Sequence, residues 1–175
     1  MQRVLMVCTG NTCRSVMAKA LMEKYAMEAG LELRVESAGL AAFHGDSATE
    51  PTVEALAPYG IDVSQHRSRR VQLPALEEAD VVFVMTSAHR QQLLGIFGSE
   101  YAQRVHVLRE YAGTLDSPGE NPEIRQENSD HKSNNHTDMD VADPFGGSPA
   151  DYRLAVDKIA EAVQRIVEAW RRAEV

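Results

Sequence analysis

Val4-Leu5-Met6-Val7-Cys8-Thr9-Gly10-Asn11-Thr12-Cys13-Arg14-Ser15 decides both the fold and the chemistry to expect of this 175-residue chain. The apolar run Val4–Val7 reads as a strand. Beyond Ser15, the residues Met17, Ala18, Leu21, Met22, Tyr25 and Ala26 recur at helical spacing up to Gly30. Between the two lies a short loop that opens on Cys8, contains Gly10 and closes on Arg14. Strand, loop and helix in that order gather backbone N–H groups around one point, with the positive end of the helix behind them. The result is an anion cradle. Cys8 lies at its base, where the field favours a thiolate and the Ser15 hydroxyl can hydrogen-bond the sulfur. Arg14 can hold a phosphoryl group over that nucleophile.

The same alternation continues outward. Leu33–Glu36 reads as a second strand, with Ser37-Ala38-Gly39 as the loop after it. A short helix is expected from Pro51 to Pro58, and Val81–Met85 is a continuous apolar run, the mark of a strand covered on both faces. Ser87 can cap a helix from Ala88 to Phe97 that Gly98 closes, and Val105–Leu108 reads as the fourth strand. Ser148-Pro149 opens a last helix with Tyr152, Val156, Ile159, Val163, Ile166 and Trp170 on one face. The pattern predicts an α/β three-layer sandwich: a four-stranded parallel sheet in the order 2-1-3-4, with helices on both faces. The cysteine loop then falls at the topological switch point, where such sheets bind ligands.

Composition bounds the rest. With 43% hydrophobic and 25% charged residues, the chain is expected to form a single globular domain over residues 1–175. No apolar stretch approaches the roughly 18 residues needed to span a bilayer, so no membrane partner is expected. Met1-Gln2-Arg3 leads straight into the first strand without a signal-peptide pattern, and two cysteines are too few for a secreted disulfide framework. Both features point to the cytoplasm. The net charge of −8 offers no basic tract for nucleic acid. Much of it is local, because residues 116–140 hold seven acids and two bases. Gly113 to Asp140 is almost devoid of apolar residues and is expected to be a flexible acidic insert. His131 and His136 within it read as polar loop residues rather than metal ligands.

Phosphoryl transfer from a poor leaving group also needs a general acid. Asp143-Pro144-Phe145-Gly146-Gly147-Ser148 is the candidate, a Pro/Gly-rich loop from which Asp143 can reach over a neighbouring loop. The same residues also suit a plain Asp-Pro turn into the last helix. His66, taken alone, reads as a surface or core-edge histidine.

Cys8–Ser15 together with Asp143-Pro144 resembles the low-molecular-weight protein tyrosine phosphatases, as do Ser37-Ala38-Gly39, His66-Arg67-Ser68-Arg69 and Ala79–Thr86. The resemblance implies Cys8 as nucleophile, Arg14 as transition-state clamp, and Asp143 as general acid and then base. It implies phosphate contacts from Thr9, Gly10, Asn11, Thr12 and Cys13, and a supporting network of Asn11, Ser15, Ser37 and His66. Tyrosine-directed members usually carry an aliphatic residue where this chain has Thr12. CTGNTCRS with DPFGGS is similar instead to the bacterial protein-arginine phosphatases. There a smaller, partly polar wall at Thr12 suits a guanidinium, Asp143 contacts it and Phe145 lines the pocket. Thr12 as a neutral variant in a tyrosine phosphatase is the alternative.

The resemblance implies phosphorylated proteins as partners and no cofactor, with Arg14 and the backbone supplying the positive field. A monomer is the expectation. Val16 stands where the family commonly has proline, and the acidic insert is longer than the resemblance implies. Cys13 reads either as a packing residue or as the partner of Cys8 in a reversible disulfide. Arsenate reductase is disfavoured, because no cysteine follows Cys13 to relay a disulfide. A non-catalytic anion-binding or redox-sensing module is the remaining class.

Overall fold

Alternation along the first strand divides the molecule in two. β1 (Gln2–Cys8) sends Val4, Met6 and Cys8 to one face and Leu5 and Val7 to the other, and a separate buried cluster seals each face. The computed structural model describes residues 1–115 and 139–173. β1 pairs in parallel with β2 (Leu33–Gly39) and with β3 (Val81–Val84), and β3 pairs in parallel with β4 (Val105–Val107). The sheet order is β2-β1-β3-β4, as the alternation predicts. β3 is buried at every position, which explains its unbroken apolar sequence.

On the first face lie α1 (Arg14–Ala29), α2 (Glu50–Leu56), α5 (Leu108–Thr114) and α6 (Pro149–Ala173). They bury Met17, Leu21, Leu56, Leu108 and Ile159 with Met6 and Phe83. On the second face, α3 (Leu73–Glu78) and α4 (Ser87–Phe97) bury Leu76 and Leu93 with Leu5, Val7, Val82 and Val84. Each of these fully buried leucines contributes about 2 kcal/mol by leaving water. The sheet is therefore covered on both sides, and its C-terminal edge is left to the loops. No helix of the described residues is long and apolar enough to cross a membrane.

Local differences from the sequence expectation have physical causes. Ser37-Ala38-Gly39 is the end of β2 rather than a loop, because its register with Met6, Val7 and Cys8 continues. Thr86, not Ser87, caps α4: its hydroxyl accepts from the His89 N–H at 3.1 Å. The helix expected from Pro51 to Pro58 gives way after Leu56 to a 3-10 turn over Ala57–Tyr59. α3 and α5 were unexpected. Gly113 and Thr114 end α5, so the N-terminal edge expected for the acidic insert is helical. The rest of that segment from 116 to 138, His131 and His136 included, lies outside the described residues.

Candidate active site

β1 ends at Cys8 beside Gly39 of β2, and the chain turns at once through Thr9–Cys13 into α1. No side chain caps α1, whose first turn opens directly onto the loop. Among the described residues, the N–H groups of Gly10 to Cys13 have no protein acceptor. Such an array of inward N–H groups at a helix N-terminus binds anions. The Cys8 thiol, only 3% exposed, lies at the bottom, 2.9 Å from Ser15 Oγ. Asn11 Nδ2 donates to that same Ser15 oxygen at 2.9 Å, which leaves the Ser15 hydroxyl proton for the sulfur.

Asn11 also ties the loop to its surroundings. Its Nδ2 donates to Ser37 Oγ at 3.0 Å, its Oδ1 accepts from the Arg69 N–H at 3.0 Å, and its carbonyl accepts from His66 Nε2 at 2.7 Å. Asn11, Ser15, Ser37 and His66 thus meet around one turn of chain. His66 is half-buried, and loss of solvent holds its pKa below the usual value, so it meets Asn11 as a neutral donor.

Arg14 is buried. Its Nη1 donates to the Val141 carbonyl at 3.0 Å, its Nη2 pairs with Asp143 Oδ2 at 2.9 Å, and its Nε has no partner among the described residues. The loop that carries Asp143 is anchored just before it. Val141 N–H donates to the Met85 carbonyl at 2.9 Å, and Asp140 Oδ1 accepts from the Ser87 N–H at 2.8 Å. Asp143 itself is exposed at 51%, at the mouth of a cavity of about 530 Å³. Cys8, Thr12 and Arg14 line that cavity, as does Phe145, which is 69% exposed.

Thr9, Gly10, Thr12 and Cys13 also border the cavity, whereas Asn11 is fully buried behind it. The Thr12 carbonyl accepts from the Thr49 N–H at 3.1 Å and from Thr52 Oγ1 at 3.2 Å. Both cysteines are free. Cys13 Sγ lies 3.4 Å from Thr49 Oγ1 and 3.7 Å from Tyr152 OH, and it packs in the first-face core.

Three neighbours went unseen in the sequence. His89 of α4 is buried, with Nε2 2.8 Å from Thr9 Oγ1 and Nδ1 unpartnered among the described residues. Burial, and then the Arg14 charge, push its pKa down to about 4. Phe43 and Asp46 border the cavity from the segment after β2. That segment leaves the C-terminal edge of the sheet next to the switch point, and this placement was the one signal for it.

A thiol at the base of an anion cradle, with a buried arginine and the aspartate paired to it on the same cavity, on a 2-1-3-4 parallel sheet, defines a cysteine-dependent phosphatase site. The chain belongs to the family described as low molecular weight phosphotyrosine protein phosphatase, which matches residues 3–126. Asp143 lies beyond those matched residues. A protein-arginine-phosphatase of Bacillus subtilis (strain 168) is 34% identical over 169 residues, covering 97% of each chain. Another, of Geobacillus stearothermophilus, is 33% identical over 166 residues, 95% of this chain and 94% of the relative. YwlE arginine phosphatase, solved as a cysteine-to-serine mutant with a phosphorylated active-site serine, superimposes with a TM-score of 0.77 at 33% identity. That match covers 95% of this chain and 94% of the other.

Proposed function

We propose that this chain is a cytoplasmic phosphatase, built as one domain, that removes phosphate from arginine side chains of proteins through a phosphocysteine intermediate. The observation that carries this reading is Thr12 on the cavity wall with Asp143 at the mouth. A threonine leaves a wall smaller and more polar than an aliphatic side chain would, and a carboxylate is the natural partner of a guanidinium. The relatives named as protein-arginine-phosphatases across nearly their whole length support it.

The reaction runs in two steps. The Cys8 thiolate attacks phosphorus in line, the S–P bond forms and the P–N bond breaks. Asp143 delivers its proton to the departing guanidine nitrogen. Arg14 and the N–H groups of the loop hold the three equatorial oxygens, and Arg14 Nε, without a partner among the described residues, is one donor for them. A phosphoryl group that occupies Arg14 releases Asp143 from its ion pair, and the freed carboxyl group meets the leaving nitrogen in its protonated form. In the second step Asp143 takes a proton from water, the water oxygen attacks phosphorus, and the S–P bond breaks to return thiolate and inorganic phosphate.

A tyrosine phosphatase is the second reading, favoured by two exposed aromatic rings, Phe43 at 79% and Phe145 at 69%, that flank the mouth and could stack on a phenol. Steady-state turnover of matched phosphoarginyl and phosphotyrosyl peptides separates the two. We expect phosphoarginine to be preferred, and Thr12→Ile to lower the ratio of kcat/KM values by about tenfold or more, the scale set by small changes in pocket volume. A wild-type preference for phosphotyrosine overturns the arginine reading.

A further inference from the structure

One charge on the cavity wall has no part in the chemistry above. Asp46 borders the same cavity as Cys8, Arg14 and Asp143, and its carboxylate has no hydrogen bond or ion pair among the described residues. Its backbone is fastened. The Asp46 N–H donates to Ser68 Oγ at 2.9 Å, and its carbonyl accepts from the Ser68 N–H at 2.8 Å. The adjacent Gly45 N–H donates to the Ser68 carbonyl at 2.8 Å, and Ser68 is fully buried. The segment after β2 is thereby pinned, and it holds a free carboxylate at the rim.

The charge balance of the cavity gives that carboxylate a consequence. Arg14 is the one cation among the described lining residues, and Asp143 answers it at 2.9 Å. Asp46 is then unopposed on the cavity wall. For a plain phosphate monoester this is a like-charge contact that weakens binding. A substrate with positive charge beside its phosphoryl group removes the penalty and gains a partner. A guanidinium fits: with one nitrogen leaving toward Asp143, the other nitrogens still present N–H donors in a planar fork that matches a carboxylate. The aromatic rim gives no such discrimination.

We propose that Asp46 is a specificity-determining residue that selects substrates carrying a cationic N–H donor next to the phosphoryl group and disfavours plain phosphate monoesters. Selection by repulsion of the wrong substrate accompanies attraction of the right one. The cation comes from the phosphorylated guanidinium itself or from a basic side chain beside it. The inference rests on the arginine-phosphatase reading but is tested apart from it.

The experiment compares wild type, Asp46→Asn and Asp46→Lys on four substrates: acetylated, amidated phosphoarginine; para-nitrophenyl phosphate; and phosphotyrosyl peptides with lysine or alanine beside the tyrosine. The Asp46 side chain is exposed and makes no hydrogen bond or ion pair among the described residues, so both variants should keep the fold. Asp46→Asn should lower kcat/KM on capped phosphoarginine about tenfold, chiefly through KM, and raise it on nitrophenyl phosphate about threefold. Asp46→Lys should extend both changes. A loss on capped phosphoarginine assigns the cation to the guanidinium, and a loss confined to the lysine-flanked peptide assigns it to the neighbour. Either supports the proposal. Equal changes on all substrates, or none, overturn it. A wild-type enzyme active on nitrophenyl phosphate but not on phosphoarginine overturns the proposed function instead, and the lysine–alanine peptide pair then still decides the role of Asp46.

Discussion

At Asn11 the backbone takes a left-handed conformation, φ 55°, on a residue that carries a side chain. Asparagine tolerates this better than most residues because its short amide can bond locally. Here that amide reaches Ser15, Ser37 and Arg69, so one side chain both compensates the backbone and fixes the loop. The two contributions can be separated. Asn11→Gly removes the amide but suits the backbone, whereas Asn11→Ala removes the amide and adds left-handed strain. We expect Ala to be less stable than Gly by about 1 kcal/mol in urea unfolding, with both well below wild type, since the amide's buried partners are left unsatisfied. Equal stability of the two variants would show that the positive φ carries no strain. At this scale much of the site was legible in the sequence, because Cys8, Arg14 and Ser15 sit in one contiguous stretch. Asp46 and His89 were not, because an isolated Asp or His in a connection or a helix has no local pattern to mark it.

The end of β2 acts on the loop as a wall. A Cβ on Gly39 would lie 2.5 Å from the Thr9 carbonyl oxygen and 2.9 Å from the Asn11 nitrogen. Both are backbone atoms, so the loop itself would have to move. Gly39→Ala should therefore cost about 2 kcal/mol of stability, the scale of overpacking a tight contact, and weaken inorganic phosphate binding about tenfold. Gly30→Ala, at the C-terminal end of α1, is the control. Its φ is +74° but nothing lies within 4 Å of the added Cβ. It should cost about 1 kcal/mol through strain and leave phosphate affinity unchanged. Thermal unfolding and phosphate titration of both variants check this, and intact affinity in Gly39→Ala would refute the wall. Elements were legible in proportion to their length and period. β3 and α6 stood out, while α3 and α5, six and seven residues long, are too short to show a helical repeat. Ser37-Ala38-Gly39 reads as a loop by residue type, and only its partner Met6–Cys8 makes it a strand.

Across the whole molecule, sheet order and the place of the site followed from alternation alone, because a parallel sheet fixes where its loops gather. How the separate loops charge one another did not follow, since it depends on contacts between distant segments. His66, His89 and His106 illustrate this, for burial holds the pKa of each below its ordinary value. The sign of the consequence is fixed. When a histidine is kept neutral in the fold but titrates normally in the unfolded chain, the unfolded state binds the proton first as pH falls. Its stabilising contribution is therefore complete above about pH 6.5 and is lost progressively below it. For His89, pushed down to about 4, the loss continues to that pH. At about pH 5 the stability lost through His89 alone is about 2 kcal/mol. Urea unfolding of wild type and His89→Gln near neutrality and at pH 5 isolates this share, because glutamine does not titrate and can still hydrogen-bond the Thr9 hydroxyl. Wild type should lose about 2 kcal/mol more than the variant on acidification. Identical losses would mean that His89 protonates freely in the folded protein.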